Sequence, residues 1–335
     1  MTDGVPSLKR NFSWTFMGNA VFAVCLWGMF SLLTKLGSKE IAGRFALGSA
    51  VATPFIIFVG LQFRVVMATD AKDSYEFRDY LGIRLVLLPA AFLVVVAVAL
   101  LGYTKEQALV IGMFGLVRVV ESVIDLWYGF AQKHERLDLI ARSLWLRGVG
   151  ALVAFGTVFW ATGDLALSLG ANAVAWALTF ALFDAPHLKK LLVAAGETTW
   201  VPRLGKRTFR DIVWLTLPMG AVMLLITLRN TIPRTFLERF EGEDVLGVFS
   251  AMSYLVIAGS TVIMALSQSS IARLSRYYAD GDKRAFRTTI VKILGVGLLI
   301  GVAGVVGVAL LGPLVLGLVY SSDYAGHNDV FIVIM

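Results

Sequence analysis

The sequence predicts an all-α fold, a polytopic bundle of membrane-crossing helices, and three observations predict it. Of the 335 residues, 58% are apolar and 16% carry charge, with a mean hydropathy of +0.77, outside the usual composition of soluble domains. Apolar stretches of about twenty residues, each long enough to cross a hydrocarbon layer of about 30 Å as a helix, recur along the chain. Inside these stretches apolar residues run consecutively instead of alternating, which disfavours the strands of a β-barrel.

The elements follow in order. The first span, 14–34, comes after MTDGVPSLKR and ends in LLTKLGSKE without a small-residue cleavage site, so it is a retained helix and not a signal peptide. Cys25 lies within it and is the only cysteine, which excludes a disulfide framework and a thiolate metal site. Further spans are expected at 45–68, 81–102, 106–130, 139–161, 165–184, 211–236, 245–268 and 288–312, and a tenth begins near 328. Most of the 30 basic residues fall at alternate helix ends on the side of the N-terminus, Arg64, Arg78 and Arg84 counted among them. Basic loops stay in the cytoplasm, so the N-terminus is expected there. The net charge of +7 and the isoelectric point near 9.5 follow from this asymmetry. Without stacking aromatics at regular spacing, the basic loops do not make a nucleic-acid surface.

The chain divides into an N-terminal lobe of six helices, 1–186, a basic linker, 187–210, and a C-terminal lobe, 211–335. A short internal repeat supports two lobes: KEIAGRFALGSA after the first helix matches EDVLGVFSAMSY after the seventh, with Glu40 over Asp244, Gly43 over Gly247 and Phe45 over Phe249. Three helices and the start of a fourth in the second lobe make it incomplete within this chain.

The fourth span, in GLVRVVESVIDLWYGFAQKHERLD, holds Arg118, Glu121 and Asp125. At the helical period these residues fall with Ser122, Tyr128 and Gln132 inside an arc of about 120°, opposite Val119, Val120, Val123, Trp127 and Phe130. Each charge facing lipid at mid-bilayer would cost about 2.5 to 3.5 kcal/mol, so the stripe must face protein or a wet cavity. A buried ion pair of Arg118 with Glu121 is the plain alternative, and it leaves Asp125 as a surplus acid suited to reversible protonation. Arg229, Asn230 and Arg234 sit between or beside Pro218 and Pro233, which can kink a helix and free carbonyls. Arg147 lies well inside the fifth span and Lys35 near the end of the first; snorkelling to the interface is the simpler account of Lys35, Arg64 and Arg142. A cationic interior asks for an anionic substrate, and guanidinium forks match phosphate oxygens. The candidate substrate-binding residues are therefore Arg118, Arg147, Arg229, Asn230, Arg234 and Lys35, and the candidate ion-coupling residues are Asp125 and Glu121. No P-loop, GxGxxG or HExxH occurs, so no cofactor or metal is expected and ATP-driven transport within the chain is unsupported.

NFSWTFMGNAVF, KLGSKEIAGRFALGSAVATP, LQFRVVMATD, VESVIDLWYGFAQKHERLDLIARSLWLRG, LERFEGEDVLGVFSAMSYL and ALSQSSIARLSRYYADGDKRAF together resemble the Wzx-type flippases of polysaccharide biosynthesis, within the multidrug/oligosaccharidyl-lipid/polysaccharide exporter superfamily. The resemblance implies two six-helix lobes around a central cavity. It implies transport of undecaprenyl-pyrophosphate-linked repeat units to the periplasmic leaflet, coupled to an ion gradient. Arg118, Arg229 and Arg234 would engage the anionic head, with Glu121 and Asp125 as coupling acids. The expected partners are that lipid-linked oligosaccharide, membrane lipid and the pathway's polymerase and glycosyltransferases; no enzyme activity is implied. Two alternatives stand: a multidrug antiporter of the same superfamily, disfavoured by the arginines, and a membrane-embedded polymerase or ligase, disfavoured by short outer loops such as GYTKEQ.

Overall fold

The computed structural model describes residues 8–70, 74–197, 199, 201–256, 282–320, 324, 326 and 328–334. The chain forms two compact units, Met1–Leu246 and Gly247–Met335, and no strand occurs among the described residues. Among the described residues seven helices are long and apolar enough to cross a membrane. The first unit therefore extends past the basic connection at 187–210 and includes the long helix that follows it.

In the first unit α1 spans Leu8–Leu36, α2 Lys39–Gly60, α3 Phe63–Thr69, α4 Phe77–Gly102, α5 Lys105–Lys133, α6 Leu137–Thr162 and α7 Leu165–Thr179. A π-helical turn, Phe180–Asp184, joins α7 to α8, Ala185–Ala194, and α9 runs Lys206–Glu241. Local chemistry sets these boundaries. Ser38 accepts from Ile41 N and opens α2, Asp164 accepts from Leu167 N and opens α7, and Thr104 with Gln107 forms a capping box for α5. Gly163 takes φ 66° and ends α6. α9 continues as one helix through Pro218 and Pro233.

Two irregular joints place the interior charges. Leu61 (φ 48°) and Gln62 (φ 52°) are successive non-glycine residues in the left-handed region, an uncommon backbone. The turn redirects the chain after α2, so that α3 packs on α5. The π-helical turn precedes Pro186, which lacks the N–H that would bond the Leu182 carbonyl. Asp184, the last residue of that turn, is fully buried.

The centre of the unit is α5, which packs against α2, α3, α4, α6, α7 and α8. Its apolar face therefore meets protein and not lipid: Trp127 and Phe130 are buried. This enclosure is why α5 can carry three charges while its neighbours are apolar enough to span a membrane.

The connection between α8 and α9 is tied back to α4. Arg203 Nε and Nη2 donate to Asp79 Oδ1 and Oδ2 at 2.6 and 2.7 Å, and Arg203 N donates to the Arg78 carbonyl at 3.1 Å. The bond to Asp79 also raises the pKa of the Arg203 guanidinium above its ordinary value. Asp79→Ala is expected to release this segment, so that limited trypsin digestion cuts after Arg203 several-fold faster, read by mass spectrometry of the fragments. An unchanged cutting rate would mean that the backbone bond and the Glu76 contact at 3.5 Å hold the connection without Asp79.

In the second unit, residues 247–256 continue a helix that starts at residue 243 (α10), followed by α11, Lys283–Val319, and α12, Asn328–Ile334. Tyr320 OH donates to the Ala251 carbonyl at 2.8 Å, and α12 packs on α11 at Gly312, where a side chain would overlap Asn328. Part of the span expected at 245–268, and most of ALSQSSIARLSRYYADGDKRAF, lie outside the described residues.

Candidate functional site

Arg118, Glu121, Ser122 and Asp125 on α5 line one wall of a cavity of about 180 Å³. Ile56, Ile57 and Gly60 of α2, Gln62, Arg84 of α4 and Met223 of α9 complete the lining. The stripe expected from helical spacing thus lines a partly open space with polar and apolar walls.

The charges in this space pair unequally. Arg118 Nη1 bonds Glu121 and its Nε donates to Thr53 Oγ1 at 3.1 Å. Glu121 also faces Arg147 Nη2 at 3.8 Å. Asp125 is not the surplus acid that the sequence suggests: Arg64 Nη1 lies 3.3 Å from its Oδ1, and Arg64 Nε donates to Gln132 at 3.1 Å. The left-handed joint at Leu61 and Gln62 delivers that partner, and a helical wheel of α5 alone carries no trace of it. Arg64 is accordingly no snorkelling residue, and it also stacks over the Tyr128 ring at 5.5 Å.

Arg84 is the residue that sequence reasoning misplaced. Counting positive helix ends put it at the cytoplasmic end of the span expected at 81–102, yet it is 1% exposed and lies two turns inside α4. Its Nη1 donates to Ser122 Oγ at 2.8 Å, its guanidinium lies 4.9 Å over the Phe63 ring, and its Nε and Nη2 meet no acceptor among the described residues. Each carboxylate of the cavity is in direct contact with another arginine, and Arg84 feels the Asp125 charge only at longer range, without an ion pair of its own among the described residues. The signal available in the sequence was spacing: Arg84 follows FRDYLGI, whose capping box fixes where α4 begins, so its depth in the helix could have been counted.

Arg147 is 2% exposed and anchors a second polar network behind Glu121. Its guanidinium stacks on Trp176 at 4.2 Å, and Nη1 donates to Tyr128 OH at 3.2 Å. Tyr128 OH donates to Ser143 Oγ at 2.8 Å, Ser143 Oγ to Asp184 Oδ2 at 2.9 Å, and Trp127 Nε1 to Asp184 Oδ1 at 3.1 Å. The remaining candidates do not line the cavity. Arg229 and Asn230 sit on the exposed side of α9, Arg234 is half-exposed, and Lys35 is exposed in the last turn of α1. Among the described residues no cluster suited to a metal ion occurs.

What the cavity can do chemically is bind an anion. Its volume holds a group the size of phosphate and not a sugar repeat unit, and the donors without acceptors belong to a permanently charged guanidinium.

The fold defines a class before a family. Over 96% of this chain and 79% of its counterpart, the structure is similar to a solved structure described as the inward-facing conformation of a multidrug resistance MATE family transporter of the MOP superfamily, with a TM-score of 0.66 and 15% identity. The protein is thus a multi-pass helical membrane protein with a MATE-like transporter fold. The sequence matches the family of polysaccharide biosynthesis proteins over residues 8–278, and the chain belongs to that family. It is 26% identical over 328 residues to the capsular polysaccharide biosynthesis protein CapF of Staphylococcus aureus, covering 98% of this chain and 81% of that protein.

Proposed function

We propose that this protein is a flippase that moves undecaprenyl-pyrophosphate-linked oligosaccharide repeat units across the bacterial inner membrane by alternating access, for surface polysaccharide synthesis. The observation that carries the proposal is Arg84: a buried guanidinium with two donors unmet opens onto a phosphate-sized cavity within a polysaccharide biosynthesis protein. Unmet donors on a buried charge are strongly unfavourable, so they favour a ligand that supplies acceptors. Arg84 and Arg118 would take oxygens of the pyrophosphate, while the sugar lies beyond the small cavity and the prenyl chain stays in lipid. The basic residues gathered at alternate helix ends support a cytoplasmic N-terminus.

A multidrug antiporter would need an acidic or aromatic cavity for cationic drugs, and here both cavity carboxylates are already held by arginines. The test is deletion of the gene: lipid-linked repeat units should accumulate on the cytoplasmic leaflet and surface polysaccharide should be lost. Unchanged surface polysaccharide in the deletion strain would overturn the proposal.

A further inference from the structure

Asp184 differs from the other interior acids of the first unit. Glu121 and Asp125 contact guanidiniums, as do Asp79 and Asp138. Asp184 is fully buried, and the side chains that donate to it, an indole N–H and a serine hydroxyl, are both neutral. Along this chain of bonds a charge is reached only after two hydroxyls, at Arg147.

The direction of that chain is fixed by chemistry. Arginine can only donate, so Tyr128 oxygen accepts from Arg147, Tyr128 hydrogen goes to Ser143, and Ser143 hydrogen goes to Asp184. An ionised Asp184 is the acceptor-only end that such a chain requires, and bonds aligned head to tail strengthen one another. A proton added to either oxygen creates a donor facing Trp127 and Ser143, both of which already donate there. Withdrawal of the indole or reversal of the hydroxyl bonds would relieve that opposition of donors. Reversal would leave the Tyr128 hydrogen without its acceptor beside a donor-only arginine. Protonation of Asp184 therefore weakens the bonds that hold Trp127 and, through Ser143, Tyr128, and Tyr128 contacts the Arg147 that faces Glu121 at the cavity.

The surroundings give the group few competitors. From α5 the neighbouring titratable groups are Tyr128 and Glu121, and from α6 Arg147, with Asp138 and Arg142 nearer that helix's start. From α8 comes His187, whose Nδ1 lies 2.6 Å from the Phe183 carbonyl, while Lys189 and Lys190 point to the exposed side. α7 carries no ionisable residue. The π-helical turn that carries Asp184 is itself an irregularity of the kind that recurs at functional positions in helices.

We propose that Asp184, and not Asp125, is the carboxyl group that takes up and releases a proton during transport, and that the Ser143–Tyr128–Arg147 chain transmits the change to the cavity. The carboxylate takes its proton from hydronium, leaving water, and later returns it to water. The inference rests on the flippase proposal for its role in transport, but the protonation itself can be read without substrate.

Two measurements test it. In pH-difference infrared spectra of the purified protein, a protonated-carboxyl C=O band is expected in the wild type and in Tyr128→Phe, and its loss is expected in Asp184→Asn. In a strain carrying only the plasmid copy, polysaccharide export should depend on external pH with the wild type and lose that dependence with both variants. Asparagine keeps an acceptor for Trp127 and phenylalanine keeps the ring, so a purely structural role would lower export without removing its pH dependence. A band that survives in Asp184→Asn overturns the proposal, as does a wild-type pH profile in both variants. Should export prove independent of this gene, the band still decides whether Asp184 titrates; a band absent from the wild type refutes it separately from the transport role.

Discussion

Replacing Arg84 with methionine is expected to make the protein more stable and to stop export. The guanidinium is 1% exposed with Nε and Nη2 unmet, so the folded protein carries a desolvated charge whose hydrogen-bonding capacity is mostly unused. Exchanging buried ionic groups for apolar side chains of similar volume stabilises by about 1 to 4 kcal/mol in favourable cases. The gain here should fall at the lower end of that range. The Ser122 bond at 2.8 Å disappears, and the stack over Phe63 is replaced by a weaker thioether contact. Thermal unfolding in detergent should show a higher midpoint, whereas surface polysaccharide should fall to the level of the deletion strain. Opposite signs in the two assays are the mark of a residue kept for its ligand. A lower midpoint together with lost export would make Arg84 a structural residue and remove the basis for the anion site.

The fold class was legible because it depends on long apolar runs, and those survive any error of a few residues in a boundary. The stripe on α5 was legible for a related reason: Arg118, Glu121, Ser122 and Asp125 belong to one helix, and a regular helix fixes their directions. What could not be read were partners contributed by other elements. Asp125 looked surplus because Arg64 reaches it only through two consecutive left-handed residues, Leu61 and Gln62, and neither is a glycine that would have flagged the turn. Arg84 was hidden by the positive-end rule, which counts a basic residue near a helix start toward the cytoplasmic end and does not ask how deeply it is buried. Asp184 stood at the expected end of the span 165–184, three residues before the linker, so it drew no notice as an interior acid, although the helix passes through a π-helical turn and buries it. Trp127 was assigned to a face opposite the charges, which was right in direction, but that face meets another acid and not lipid.

Gly43→Ala should be among the most destabilising single-atom additions in the first unit. A Cβ at Gly43 would overlap the backbone carbonyl of Glu243, where the chain leaves α9 and α10 begins. Backbone cannot rotate aside as a side-chain tip can, so the cost should reach or exceed the upper part of the 1 to 3 kcal/mol usual for overpacking. The same junction is held by charge. Arg44 bridges Glu40, Glu106 at 2.7 Å and Glu243 at 2.7 Å, and Gln107 Nε2 donates to Glu243 at 2.6 Å and to Glu238 at 3.1 Å. Pushing the Glu243 backbone outward would draw its carboxylate away from both partners, so the steric and electrostatic losses add. Gly112→Ala on α5 is the matched control, because nothing lies within 4 Å of the added atom. There the usual helical preference for alanine should stabilise by about 0.5 to 1 kcal/mol. Unfolding midpoints in detergent should therefore move in opposite directions for the two variants. Equal shifts would mean that α10 can retreat from α2 without loss, and the close approach at Gly43 would then carry none of the stability of the junction.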